Sequence, residues 1–258
     1  MNLASVSLAA ACLAAAASPA LAAPSPPVAH IYLSVPQGTP GAALIQKGVS
    51  SAIAARKAKA GKVRVKLIVL DDAVNGRWDP QRTAENAARA AADPQAIAYI
   101  GEGNSGATAV AMPILNNAGI VHTSPVSTAV SLTAPENQAA LQPTGTQTFF
   151  RPVPRDDQQA ESLVMHIVDS GVQRIAIVDD ADTYGTGLAD LVAASAARRG
   201  VSVVLRQAAP GGQVDARALT ASGADGVVVA MTPSTGGVAA VRSAHTALPS
   251  ALIFSGDA

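Results

Sequence analysis

The sequence predicts an α/β protein made of two doubly wound parallel-sheet lobes, and three observations carry that reading. Short β-branched runs alternate with Ala-rich stretches of helical composition after residue 27. The alternation comes as two series, divided by a turn-rich stretch and by Pro152 and Pro154. Aromatic residues are only 3% of the 258, so the cores must be packed closely from Ala, Val, Ile and Leu. Alternating strands and helices place a parallel sheet at the centre with helices on both faces.

In the first series, residues 28–35 (VAHIYLSV) read as a strand that ends in the loop 36–41. Residues 42–59 have helical composition, with Leu44, Ile45, Val49 and Ile53 on or near one face. Residues 62–70 alternate and then become continuously apolar, a strand that ends at Asp71-Asp72. Asp79 and Pro80 open a helix to residue 92, with Asp as cap and Pro in the first turn. Residues 96–100 are a short strand broken by Gly101, Gly103 and Gly106. Ser105 or Thr108 then caps a helix to residue 116. Residues 120–123 are again strand-like, and Ser127-Thr128 stand at the head of another short helix. Residues 134–148 read as a polar surface loop.

The second series has helices at 156–169, 187–199, 215–221 and 237–247, and strands at 174–178, 201–206, 226–231 and 251–254. The expected division is therefore a leader at 1–23, a first ligand-binding lobe at 24–150 and a second at 151–258. Loops at the strand ends would line a cleft between the lobes.

The leader is apolar, Ala-rich and uncharged in its side chains, and Ala20-Leu21-Ala22 fits a small-x-small cleavage site. Export to the periplasm or cell surface follows. Cys12 is the only cysteine, and the Leu expected three residues before a lipidated Cys stands four before it. Plain cleavage is favoured over lipidation, and the mature chain would carry no thiol or disulfide. Eighteen basic residues balance eighteen acidic ones with no basic stripe, which speaks against nucleic acid.

Gly101-Glu102-Gly103-Asn104-Ser105-Gly106 matches G-x-G-x-x-G between a strand and a helix. A dinucleotide site also needs an acid about 20 residues on, at the next strand end. Here the first acid is Glu136, far past that end. An NAD-binding enzyme remains an alternative on this motif alone. Asp180-Ala181-Asp182 starts like a calcium loop but has Tyr184 and Leu191 at ligand positions. The histidines form no H-x-H or H-E-x-x-H pair, and no G-x-S-x-G elbow occurs. No metal, cofactor or catalytic constellation is expected. What the loops after residues 100 and 123 do offer is hydroxyls and free N–H groups at helix starts, chemistry that suits a carboxylate.

Five segments together resemble the periplasmic leucine/isoleucine/valine-binding family, the type I solute-binding proteins of branched-chain amino acid ABC transporters. They are YIGEGNSGAT (99–108), IVHTSPVSTAVSLT (120–133), FRPVPRDDQQ (150–159), RIAIVDDADTYGTGL (174–188) and IFSGDA (253–258). The resemblance implies the type I periplasmic binding protein fold. It also implies capture of an amino acid or related small carboxylate between the lobes, and handover to a membrane permease by a monomer. Ser105, Ser127 and Thr128 match the positions that hold the ligand carboxylate. Tyr184 matches the tyrosine that closes over it, and Asp257 the acid that pairs the ammonium. Met231 and Thr232 stand where the pocket wall usually has an aromatic, as does the short loop 36–41. Relatives of this kind extend further, so the resemblance also implies a chain truncated at its second crossing, with an incomplete first lobe. A ligand sensor of the same fold, without a transport role, is the other alternative.

Overall fold

The computed structural model describes residues 26–257, so the expected leader and Cys12 lie outside the described residues. The first lobe begins with β1 (Val28–Val35), α1 (Pro40–Ala55), β2 (Lys59–Ala60) and β3 (Val63–Asp71). A small hairpin of β4 (Ala73–Val74) and β5 (Arg77–Trp78) follows. Then come α2 (Pro80–Ala91), β6 (Ala96–Ile100), α3 (Ser105–Asn117), β7 (Val121–Thr123), the single turn α4 (Gln138–Leu141) and β8 (Phe149–Phe150). The sheet order is β2-β3-β1-β6-β7-β8, parallel except for β2.

The chain crosses at residues 151–155 into the second lobe. There α5 (Asp156–Asp169), β9 (Arg174–Asp179), α6 (Thr183–Arg198), β10 (Ser202–Ala208), α7 (Ala216–Ala221), β11 (Gly226–Ala230), α8 (Gly237–Ala247) and β12 (Leu252–Ser255) alternate strictly. This sheet is ordered β10-β9-β11-β12 and is wholly parallel.

Side-chain alternation explains why helices cover both faces. Ile175 and Ile177 of β9 pack with Val228 and Phe254 against α5 and α6. Ala176 and Val178 point the other way, with Val227 and Val229, onto α7 and α8. Each fully buried Val, Leu or Ile contributes roughly 1.5–3 kcal/mol. In the first lobe Tyr32, Leu70 and Tyr99 face α2 and α3, while Leu33, Val35, Leu67 and Ile100 face α1. On the α1 side the cover is partial, because Val121 and Phe150 are each 48% exposed.

The structure moves several expected boundaries. α1 stops at Ala55 because Lys57 and Ala58 take positive φ and Lys59 turns back to pair with β3. Neither Ser105 nor Thr108 caps α3; Asn104 does, its side chain accepting from Ala107 N at 2.8 Å. α6 starts four residues before the expected Gly187, capped by Asp182. No side chain caps the short 3-10 turn Val130–Thr133, so Ser127 and Thr128 are not helix caps. The loop 134–148 is pinned rather than free. Buried Asn116 donates to Thr146 O and Thr148 Oγ1 and accepts from Thr144, while Gln142 accepts from Thr148 N.

Candidate functional site

Each sheet has one place where the winding direction reverses: between β1 and β6 in the first lobe, and between β9 and β11 in the second. Loops leaving the carboxyl ends of neighbouring strands diverge there and leave a crevice. The two crevices face each other. A cavity of about 780 Å³ lies between them, lined by Val35 to Ala42 after β1, Gly103 to Ser105 after β6, Tyr184 after β9, and Thr232 to Ser234 after β11. That volume is within the roughly 300–1,000 Å³ of small-molecule sites.

The wall from the first lobe is mainly apolar: Val35, Pro36, Pro40, Ile45, Pro125 and Val126 line it. Its polar part is Gln37 and Thr39 together with the start of α3, where Ser105 is 1% exposed and its Oγ accepts from Ala129 N at 3.2 Å, leaving its proton free to donate. The second lobe contributes a linked trio. Tyr184 OH donates to Asp257 Oδ1 at 3.1 Å and lies 3.3 Å from Gln159 Oε1. Gln159 Nε2 also donates to Asp257 Oδ1 at 3.0 Å, and its Oε1 accepts from Asp257 N at 2.9 Å. Burial and the nearby Asp257 charge push the Tyr184 phenol up, so it stays a donor. Asp257 is exposed and, among the described residues, is the only side-chain carboxylate lining the cavity.

Of the five residues singled out from the sequence, Ser105, Tyr184 and Asp257 line this one cavity. Ser127 and Thr128 do not. The Ser127 hydroxyl is used internally, 2.7 Å from Thr108 Oγ1 and 2.8 Å from Ser124 Oγ, and its carbonyl accepts from Arg151. Thr128 is buried; its carbonyl accepts from Asp156 N at 3.1 Å. Its Oγ1 meets no described residue within hydrogen-bond geometry and lies near the Asp156 carboxyl, which burial pushes up to about 6. Both residues shape the loop that places Pro125 and Val126 in the wall. Gln159 and Asn104 were missed as part of the site. The Gln in FRPVPRDDQQ lies one helical turn into α5, a position that only tertiary contact marks.

The glycines of GEGNSG are packed against the protein itself. A Cβ on Gly101 would sit 2.4 Å from Ser34 O, one on Gly103 2.5 Å from Pro36 Cδ, and one on Gly106 2.5 Å from Asp182 Oδ1. These close approaches explain the spacing without a phosphate. His122 is likewise internal: it stacks edge-on between Tyr99 and Phe149, Nε2 donates to Gly101 O at 2.8 Å, and burial lowers it to about 4. Beneath the floor, Glu102 accepts from Tyr99 OH at 2.7 Å and lies near Asp72. Burial and the nearby Asp72 charge raise Glu102 well above the carboxylate range, and burial raises Asp72 to about 6; neither Asp72 oxygen nor Glu102 Oε2 has a hydrogen-bond partner among the described residues. Among the described residues no group of three potential metal ligands occurs, and no helix is long and apolar enough to cross a membrane.

Two doubly wound lobes with a solute-sized cavity at their facing switch points are the architecture of a two-lobed periplasmic binding protein. Residues 31–249 match the periplasmic binding protein family, and the chain belongs to it. It is 33% identical over 167 residues to an amino acid binding protein of Pseudomonas aeruginosa, covering 63% of this chain and 41% of that one. It is 33% identical over 178 residues to the Leu/Ile/Val/Thr-binding protein of Salmonella typhimurium, covering 67% and 45%. The chain thus spans less than half the length of the curated relatives it matches. Among solved structures, an ABC transporter substrate-binding protein of Desulfitobacterium hafniense in complex with Leu superposes at TM-score 0.68 and 23% identity, covering 88% of this chain and 66% of that one. A solute-binding protein of Rhodopseudomonas palustris in complex with 4-hydroxybenzoate superposes at 0.73 and 15%, covering 88% and 61%. These structural likenesses speak to the fold.

Proposed function

We propose that the chain captures an amino acid or a similar small carboxylate outside the cytoplasm, by closure of two jaws at residues 24–150 and 151–258. It then delivers the ligand to an ABC permease, as a monomer and without catalysis. The observation that carries this is the opposition across one cavity of a donor end and an acceptor end. Ser105 and the α3 N-terminus supply the first, and the Tyr184–Gln159–Asp257 trio supplies the second. A zwitterion needs both. The names of the Pseudomonas and Salmonella relatives point the same way. Ser127 and Thr128 act in this reading by holding the Pro125–Val126 wall.

The test is a thermal-shift and calorimetric screen of the full chain against the twenty amino acids and 4-hydroxybenzoate. A binder raises the melting temperature, and Asp257→Asn weakens an amino acid at least tenfold while sparing an aromatic acid. No shift with any amino acid would remove the amino-acid reading.

A further inference from the structure

The β4–β5 hairpin carries Trp78, the single tryptophan of the sequence. In the structure it reaches across the cleft. The Trp78 Nε1–H donates to Asp182 Oδ2 at 2.7 Å, between residues 104 apart in the chain and in different lobes. Asp182 is also the cap of α6, its Oδ1 accepting from Thr183 N at 2.7 Å. Gly106, in the first turn of α3, lies under both: a Cβ there would sit 2.5 Å from Asp182 Oδ1 and 2.8 Å from Trp78 Cζ2. One carboxylate therefore stands between two helix N-termini of different lobes, where both dipoles favour negative charge.

The sequence neighbours of this seam are the ligand wall. Ser105 precedes Gly106 by one residue, and Tyr184 follows Asp182 by two. Resting on the cleft-binding reading above, we infer that Trp78, Asp182 and Gly106 form a latch that sets the separation of Ser105 and Tyr184 and holds the lobes closed. These are positioning residues: none of Trp78, Asp182 or Gly106 lines the cavity. The latch acts on the exit of a ligand rather than on its contacts.

Trp78 is the only tryptophan, so its emission reports the seam directly. In the ligand-free full chain, Asp182→Ala is expected to red-shift Trp78 emission, raise acrylamide quenching about twofold and enlarge the radius of gyration in small-angle scattering. Asp182→Asn keeps a single acceptor oxygen, enough for the indole or the cap but not both, so its emission falls between those of the wild type and Asp182→Ala. Asp215→Ala removes the equivalent cap of α7 away from the seam and leaves emission unchanged. Gly106→Ala improves helix propensity, yet its methyl wedges the seam and enlarges the radius. Emission and radius unaltered in both Asp182→Ala and Gly106→Ala would overturn the latch. With whichever of L-leucine, L-isoleucine, L-valine or L-threonine binds the wild type, Trp78→Phe and Gly106→Ala speed dissociation about tenfold, the worth of one charge-assisted hydrogen bond. Dissociation at the wild-type rate in both would also overturn it. A wild type that binds none of these probes counts against the proposed function, and the ligand-free arms still decide the latch.

Discussion

Asp72 and Glu102 are buried carboxyls with no cation beside them, and Asp93 is their opposite. Asp93 accepts from Tyr32 OH at 2.8 Å and sits 2.6 Å from His30 Nδ1; these bonds hold it at about 2. Its folded-state pKa lies below the unfolded value, so its contribution is present above about pH 4 and fades as pH falls toward 2. Asp72 and Glu102 have raised folded-state pKa values, so the folded state binds their protons more tightly. Stability from that pair falls as pH rises above about 4, through about 6 for Asp72 and on through the raised pKa of Glu102. Glu102→Gln still accepts from Tyr99 and can donate to Asp72. Urea titrations at pH 4 and pH 8 should show the variant gaining stability on the wild type at pH 8 but not at pH 4. At the site, Ser105→Ala removes a donor of the cavity wall and should weaken the ligand roughly tenfold by calorimetry; it also strips buried Ala129 N of its acceptor, so the melting temperature should fall as well. The resemblance to the leucine/isoleucine/valine-binding family, not residue type alone, singled out Ser105, Tyr184 and Asp257, which line the cavity. It could not separate Ser127 and Thr128 from them, since whether a hydroxyl points into a cavity or toward Thr108 depends on packing across the sheet.

At the scale of elements, the strands were legible because buried parallel strands read as unbroken β-branched runs, as in 226–230 and 174–179. Helix starts were less so. Ser105 and Asn104 are both good caps, and one residue of register decides which side chain turns back onto the helix. Asn104→Ala should therefore cost about 1 kcal/mol in urea unfolding, which would be unexpected if Ser105 were the cap. The early start of α6 was hidden by Gly185 and Gly187, residues that lower helix propensity. Gly185 is there for contact: a Cβ would lie 2.2 Å from Asp180 Oδ1 and 2.4 Å from Ala230 O. The β4–β5 hairpin was unreadable for another reason. Two-residue strands carry no periodicity, and the purpose of Trp78 emerges only when the second lobe is beside it.

For the whole molecule, the order of elements predicted the winding, and the winding placed the cavity. The facing of the two switch points was not in the local pattern at all; it comes from the crossing at residues 151–155. There Arg151 donates to Ser127 O and Ala129 O at 3.2 and 2.8 Å and ties the crossing to the first lobe. Ligand at a hundredfold excess over its Kd should stabilise the chain by about 2.7 kcal/mol. Small-angle scattering should show compaction on binding, because capture shuts jaws that the seam at Trp78 only biases toward closure. No lysine or arginine lines the cavity. A ligand carboxylate there meets only dipoles, and dipoles at contact distance are barely felt by the ionic atmosphere. Raising sodium chloride tenfold should thus spare the carboxylate end and weaken a zwitterion only through its ammonium pair with exposed Asp257. Salt would then tell the two ends of the site apart, one built of dipoles and one of a charge.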